Sequence, residues 1–263
     1  MEHTEFLYHY TSIHNLALIL KNKTFRFCNL LNVDDPDEAY TSDLGSAGKY
    51  ALVSCWTATN EDVLPMWSMY TPNMSGVRIK MKKNPFKVYQ YEPGELHFKE
   101  KVESNINYYD ENICKYAIAP SCPKLIKVEY TNDESLLYPK ICIENGDNIT
   151  ISFEKMGKYK REYWNFQNEY RYIITSAPWG IGELEKINDP IEMMKIGRRI
   201  LDTSCDKYYN SIDLQLADNA FDGMEILLAP RTTEADYIIV NALLEKYCEG
   251  YKIPVRKSKI RIQ

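Results

Sequence analysis

The sequence predicts a single α+β domain over residues 1–263, in which helices surround a mixed or antiparallel sheet. Predicted strands and helices follow one another without a strict β–α–β alternation and without a long run of strands alone. Gly and Pro are scattered along the chain, and no Ser/Gly-rich or Pro-rich linker divides it. With 44% hydrophobic and 26% charged residues, the chain resembles globular proteins that bury a sizeable core.

The first half of the chain opens with a strand over 6–10, because short apolar and aromatic residues alternate there. An amphipathic helix over 12–22 follows, and Thr11 or Ser12 is placed to cap it. The other elements predicted in this half are strands at 24–28, 50–57, 76–81 and 86–91, a helical turn entered at Pro36, a short helix over 60–70 capped by Asn60, and a helix within 93–122.

The second half contains the clearest helix, 234–248, whose apolar residues recur at helical spacing. Asn145-Gly146 predicts the turn of a hairpin over 141–153. The remaining elements predicted here are strands at 125–130, 168–175, 224–230 and 252–262, and helices at 155–166 and 193–201.

Composition and motifs exclude several classes of protein. The net charge of −5 argues against a chain that coats nucleic acid by charge alone. There is no secretory signal pattern, no apolar run long enough to span a bilayer, and no glycine-rich phosphate loop. The seven cysteines are dispersed and show no zinc-ligand spacing. These features favour a cytoplasmic protein that does not enter a membrane and keeps its thiols reduced.

The junction between the first strand and the first helix is the first candidate site. His9 lies between Tyr8 and Tyr10, and Thr11 and Ser12 follow at the helix start. A helix N-terminus offers free N–H groups and a positive dipole, which suit a phosphate. We therefore predict that this junction binds a nucleotide, although a lone histidine at a strand end is also compatible with a structural role.

The second candidate is the acidic segment NVDDPDE, residues 32–38. Asp34, Asp35 and Glu38 carry oxygen ligands of the kind that hold a hard cation, with His9 as a further ligand. The spacing does not match an EF-hand loop. A solvated, helix-capping turn and a carboxylate that orients His9 are the alternatives.

A third candidate combines hydroxyl and aromatic side chains. Ser54 and Thr57 lie on the predicted strand 50–57, and Trp67 and Tyr70 share one face of the next helix at i, i+3 spacing. An aromatic wall beside hydroxyl groups suits a flat heterocycle.

The fourth candidate lies on the strand 168–175. Alternation places Glu169 and Arg171 on one face, and Tyr170 and Tyr172 on the other. Such a charged pair forms either an edge salt bridge or part of a cleft. In a cleft, the glutamate would stabilise positive charge at a sugar carbon or accept a bond from a ribose hydroxyl.

Taken in this order, these stretches resemble one bacterial family, which is filed as domain of unknown function 2971. The resemblance spans nearly the whole chain, with one residue inserted after Asn32, and the family name implies no activity. The motifs that carry it are Tyr8 to Ser12, Asn32 to Glu38, Cys55 to Thr57, Trp67 with Tyr70, Gly76 to Ile79, Glu169 with Arg171, Ala229 to Arg231, and Ser258 to Ile260.

A more distant likeness is to the ADP-ribosyltransferase fold, in which a first-strand histidine precedes a small helix and a glutamate lies on a late strand. That resemblance implies NAD as the substrate, held by His9 with Thr11 beside it. It implies that Trp67 or Tyr70 stacks on the nicotinamide and that Glu169 is catalytic. The second-strand motif of that fold is matched best by Ser54 to Thr57.

Three functions therefore remain open. The first is an NAD-consuming ADP-ribosyltransferase or NAD glycohydrolase, as expected of a bacterial toxin or phage-defence effector, whose acceptor is protein, nucleic acid or water. The second is a metal-dependent hydrolase or nuclease that uses the acidic segment and needs Mg²⁺ or Mn²⁺. The third is a non-catalytic module that binds a nucleotide or a protein partner.

Overall fold

A computed structural model describes residues 5–145, 148–180, 182–183, 189–202 and 204–262. Within these ranges, the α-helices are α1 (Ile13–Asn22), α2 (Leu64–Tyr70), α3 (Glu134–Leu137), α4 (Pro190–Leu201) and α5 (Glu234–Tyr247). The strands are β1 (Phe6–Thr11), β2 (Thr24–Asn29), β3 (Ala51–Thr57), β4 (Val77–Lys82), β5 (Tyr89–Tyr91), β6 (Val102–Ser104), β7 (Ile118–Lys127), β8 (Glu129–Thr131), β9 (Cys142–Asn145), β10 (Asn148–Ile151), β11 (Tyr159–Arg161), β12 (Glu169–Ser176), β13 (Ser211–Gln215), β14 (Glu225–Leu228) and β15 (Val255–Lys257).

Nine of these strands form one sheet, and strands from both ends of the chain take part in it. Its main path runs β13-β2-β3-β1-β4-β14-β15, while β12 joins β3 to β7 outside that path. The pairs are antiparallel except β14 with β15, which is parallel. The prediction of an α+β chain with a mixed sheet and helices around it is confirmed.

β3 is the branch point of the sheet because it pairs with three other strands. β12 runs along the whole of one edge, from Thr57 to Ala51. The other edge is shared, since β2 pairs at Leu52 and Val53 and β1 pairs at Thr57. β1 and β2 therefore diverge where they meet β3.

The largest cluster of buried side chains lies against one face of the sheet. α1 contributes Leu16, Ile19 and Leu20 to it, which is the apolar stripe that its helical spacing predicts. α1 begins at the N-cap Ser12, whose hydroxyl accepts a hydrogen bond from the Asn15 N–H at 3.0 Å. This cap fixes the start of the helix directly after β1.

Several predicted elements differ from the structure. Residues 93–122 are not a helix: they contain a short 3₁₀ turn, β6 and the start of β7. Residues 155–166 form β11 and the start of a 3₁₀ helix that continues to Gln167, and α2 is preceded by Val63, whose side chain caps nothing, rather than by Asn60. In these stretches aromatic and charged residues follow no clear period, and tertiary contacts decide the conformation.

The late strands and the hairpin also depart in detail from the prediction. β13 was not predicted, and β15 occupies only part of 252–262. β9 and β10 pair as the predicted hairpin, although residues 146–147 of its turn lie outside the described residues. No helix in the described ranges has the length and apolar character needed to cross a membrane.

Candidate functional site

A cavity opens where β1 and β2 diverge from β3. The β3 residues Ser54, Cys55 and Trp56 lie between the last rung with β2, at Val53, and the single rung with β1, at Thr57. Their edge of the strand therefore faces the gap instead of a neighbouring strand. The cavity has a volume of about 380 Å³, which falls in the range of small-molecule sites.

One end of this cavity is aromatic. The ring centroids of His9 and Phe25 are 5.2 Å apart, and so are those of His9 and Trp56. Phe25 and Trp56 are themselves 4.7 Å apart, and all three side chains line the cavity. These contacts fix flat surfaces beside the gap, which suit a planar ligand.

His9 spans the gap between β1 and β3. Its Nδ1 lies 2.9 Å from the carbonyl oxygen of Cys55, which is an acceptor, so Nδ1 carries the proton and donates it there. Desolvation lowers the pKa of His9, although the bond to this carbonyl opposes that effect. The imidazole is therefore neutral near pH 7, and its Nε2 is an acceptor.

The cavity also borders a buried network of four charged side chains. Glu169 accepts from Arg171 at 2.5 and 2.9 Å, and Arg171 also forms a two-point ion pair with Glu38. The Lys160 ammonium lies 3.3 Å from each of the two glutamates. Two cations and two carboxylates thus neutralise one another in a site from which water is nearly excluded.

This network holds Glu169 in its ionised form. Burial alone would raise the pKa of Glu169, but the charges of Arg171 and Lys160 outweigh it and bring the pKa to about 2. The neighbouring Cys55 thiol responds in the opposite direction, because burial and the Glu169 charge raise its pKa well above the usual value. The cavity wall therefore presents a carboxylate beside a neutral thiol.

A chain of hydrogen bonds connects the network to Tyr70. Lys160 donates to the amide oxygen of Gln167 at 2.9 Å, and the amide nitrogen donates to the Tyr70 hydroxyl at 2.5 Å. That hydroxyl donates to Asp34 at 2.5 Å. Burial and the bond to Asp34 raise the pKa of Tyr70, so it stays protonated and its ring is fixed at the cavity wall.

Each acidic side chain of the segment 34–38 has a partner within the chain. Asp34 binds Tyr70, Asp35 caps the N–H of Asp37, Asp37 pairs with Arg161 at 2.7 Å, and Glu38 joins Arg171 and Lys160. Across the described ranges, no group of three or more His, Cys, Asp or Glu side chains is arranged to hold a metal ion. The alternative ligand set Asp34, Asp35 and Glu38 is thus divided among separate contacts, and none of these carboxylates contacts His9.

The structure brings most of the predicted site residues to this cavity. Glu38 lies behind the cavity wall, against Arg171, rather than in it. The predicted residues that line it are Tyr8, His9, Tyr10, Thr11, Ser54, Tyr70, Glu169 and Arg171, together with Asp34 from the metal alternative.

Three of the residues predicted to bind the nucleotide lie elsewhere. Trp67 is fully buried against Tyr10, and its indole N–H donates to Asp62, so it belongs to a packed cluster rather than to the cavity wall. Thr57 is buried and its hydroxyl donates to the Asn168 carbonyl. Ser12 acts as the cap of α1. Tyr70 is therefore the member of the Trp67/Tyr70 pair that reaches the cavity.

Sequence reasoning missed Phe25, Trp56, Lys160 and Gln167. Trp56 lies in the predicted strand 50–57, two residues after Ser54. Side chains two residues apart in a strand lie on the same face, so this spacing was a signal that Trp56 accompanies Ser54. Lys160 lies in the stretch 155–166, which the sequence predicts to be a helix, and Gln167 follows it directly, so neither the approach of Lys160 to Glu169 nor its bond to Gln167 is predicted. Phe25 reaches the cavity only through the fork of the sheet, which no local pattern encodes.

Comparison of the chain with protein-family models, with curated proteins and with solved structures found no match. The resemblance to domain of unknown function 2971 and to the ADP-ribosyltransferase fold therefore stays a prediction, and the function has to be argued from the cavity itself.

Proposed function

We propose that the cavity binds the nicotinamide–ribose end of NAD and that the protein cleaves the bond between them, as an ADP-ribosyltransferase or NAD glycohydrolase. The observation that carries the proposal is a buried, ionised carboxylate, Glu169, in the wall of a ligand-sized cavity that aromatic side chains also line. Cleavage needs those two features, because positive charge develops at the ribose carbon while a flat ring leaves.

The aromatic end suits the nicotinamide ring. In NAD this ring is planar and positively charged, and aromatic faces attract such cations. The neutral His9 offers its Nε2 as an acceptor for a ribose hydroxyl or for the nicotinamide amide. Tyr70, whose hydroxyl is held by Asp34 and Gln167, adds a further aromatic ring to the cavity wall.

Cleavage and transfer need no oxidant, reductant or other reagent besides NAD and the acceptor or water. The bond between the ribose carbon and the ring nitrogen breaks, its electron pair returns to the nitrogen, and nicotinamide leaves neutral. An acceptor nucleophile or water then bonds to the carbon and releases its proton to the surrounding solvent. Glu169 contributes by stabilising the developing charge and by accepting a bond from a ribose hydroxyl, so little proton transfer to the leaving group is required.

A second candidate function is a nucleotide-binding module without turnover. The observation that favours it is the pairing of Glu169 with both Arg171 and Lys160, which reduces the negative potential that the carboxylate offers to a ligand. Under this alternative, NAD or a related nucleotide binds in the same cavity but is not consumed.

The first experiment follows nicotinamide release from NAD⁺ over time, using the purified protein with and without cell lysate. Release without lysate is expected of a glycohydrolase or a self-modifying enzyme, and release that needs lysate is expected of a transferase. The Glu169→Gln variant should lose about 10²–10³-fold in turnover, because a neutral amide cannot stabilise developing positive charge, while NAD affinity stays within a few fold.

The matched control is Glu129→Gln, which removes a carboxylate that is 56% exposed and pairs with the Lys158 ammonium at 3.1 Å. It should leave turnover unchanged. Binding of NAD with no release by the wild type would favour the binding module. EDTA-sensitive cleavage of nucleic acid, without NAD release, would support the metal-dependent alternative instead.

A further inference from the structure

A second, smaller cavity lies on the sheet beside the first and shares Tyr8 with it. Its volume is about 80 Å³, the space of two or three water molecules. Two rungs of the sheet build its floor: one carries Arg256, Leu227 and Arg78 across β15, β14 and β4. The other carries Glu225, Lys80 and Tyr8 across β14, β4 and β1.

Arg78 is the unusual member of this cavity. The residue is only 8% exposed, yet its side-chain hydrogen bonds go to the carbonyl oxygens of Asn60 and Glu61 rather than to a carboxylate. Its guanidinium stacks over the Tyr8 ring at 4.7 Å. Buried arginines are normally paired with an anion, and across the described residues no carboxylate forms an ion pair with Arg78.

The side chains that line this cavity carry more positive than negative charge, since they include Arg78, Lys80 and Arg256 but a single carboxylate, Glu225. Lys80 and Arg256 both approach Glu225, at 2.6 and 4.0 Å. Two further carboxylates lie nearby without lining the cavity: Asp62, which accepts from Trp67 and Ser258, and Glu61, whose charge acts on Tyr8. The Arg256 side chain is 71% exposed, so it is free to turn towards a ligand.

We propose that this cavity is an anion site that binds a phosphate group, with Arg78 as its buried anchor and Lys80 and Arg256 as the outer contacts. A guanidinium presents paired donors that match phosphate oxygens, and an anion would neutralise the unpaired charge of Arg78. The proposal is independent of NAD cleavage, because it rests on residues that the first cavity does not use, apart from the shared Tyr8 ring.

The test is calorimetric titration of the full chain with inorganic phosphate at constant ionic strength. The wild type should bind one equivalent. Arg256→Gln should weaken binding about tenfold, since it removes one charge-assisted contact, and Arg78→Gln should abolish it. Arg256 is exposed, so its variant decides the question even where Arg78→Gln fails to fold.

Lys82→Gln is the matched control, because Lys82 is an exposed lysine of the same strand that does not line the cavity. It should leave phosphate affinity unchanged. Absence of binding by the wild type, or equal weakening by Lys82→Gln and Arg256→Gln, would overturn the proposal. If phosphate binds and the phosphate-bearing end of a nucleotide competes with it, the group is supplied by a nucleotide; without competition, free phosphate is the ligand.

Discussion

Arg171 is the side chain that holds the buried network together, because it contacts both Glu38 and Glu169 and is completely shielded from water. Replacing Arg171 by Met leaves two buried carboxylates against Lys160 alone. We expect the free energy of unfolding to fall by about 3–5 kcal/mol, which is the usual cost of breaking a buried ion pair on one side. Urea denaturation measures the change.

The control for that variant is Arg26→Met. Arg26 forms a comparable two-point pair with Asp213, but 61% of its side chain is exposed, so its removal should cost only about 0–1 kcal/mol. Equal losses in the two variants would mean that burial adds nothing to the Arg171 contacts, contrary to the network described above.

His9 makes stability depend on pH in a predictable direction. Its pKa is lowered in the folded protein by desolvation, whereas in the unfolded chain the imidazole takes up a proton as the pH falls through about 6.5. The unfolded state then binds more protons, so the free energy of unfolding decreases as the pH falls below that value.

Part of this loss of stability falls between pH 7.5 and 5.5, and His9→Gln should remove it from the wild-type pH dependence. Chemical denaturation at the two pH values measures the difference. His14→Gln, at an exposed position of α1, is the control for replacing a histidine by glutamine. If His9→Gln leaves the pH dependence of the free energy of unfolding unchanged, the His9 imidazole titrates alike in the folded and unfolded states, contrary to the prediction.

At the scale of elements, Gly76 explains why β4 begins where it does. A Cβ at this position would lie 2.5 Å from the carbonyl oxygen of Thr11 and 2.7 Å from the Thr71 side chain. The absence of a side chain therefore lets the start of β4 approach the end of β1, next to the helix junction that borders the cavity.

Gly76→Ala should therefore reduce the free energy of unfolding by about 1–3 kcal/mol, because backbone must shift to relieve the overlap. Gly197→Ala, within α4, meets no atom within 4 Å and should instead stabilise by about 0.5–1 kcal/mol through its helical preference. Thermal unfolding of both variants gives the comparison, and a destabilised Gly197→Ala would contradict the assigned helical environment.

The elements that sequence reasoning located well are those with a single clear period. α5 and β12 follow the predicted ranges closely, and Glu169 and Arg171 share a face as the alternation of β12 predicts. The prediction of a helix within 93–122 was wrong because the short turns and strands there bury residues at no regular spacing. β13 was not predicted because its five residues are held by pairing with β2, which is far away in sequence and leaves no local signal.

At the scale of the whole molecule, the cavity was predictable in its residues but not in its shape. Sequence analysis predicted site residues in the strand–helix junction, the acidic segment and the late strand. Most of these residues line the cavity. Glu38 contacts Arg171, which lies 133 positions later in the chain. The sequence does not predict this contact, because it depends on the tertiary fold. The fork at β3, which makes the space between them, depends on pairings among four strands that no local sequence pattern specifies.

The branching of β3 also bears on the order in which the cavity becomes complete during synthesis. Residues 5–100 are synthesised before β11 and β12, and they carry His9, the acidic segment and β3, but not the cations that neutralise Glu38. Those cations arrive with β11 and β12, which also supply Glu169. A growing chain therefore holds one incomplete wall of the cavity until its later strands emerge, and any chemistry that depends on Glu169 is confined to chains that extend past β12.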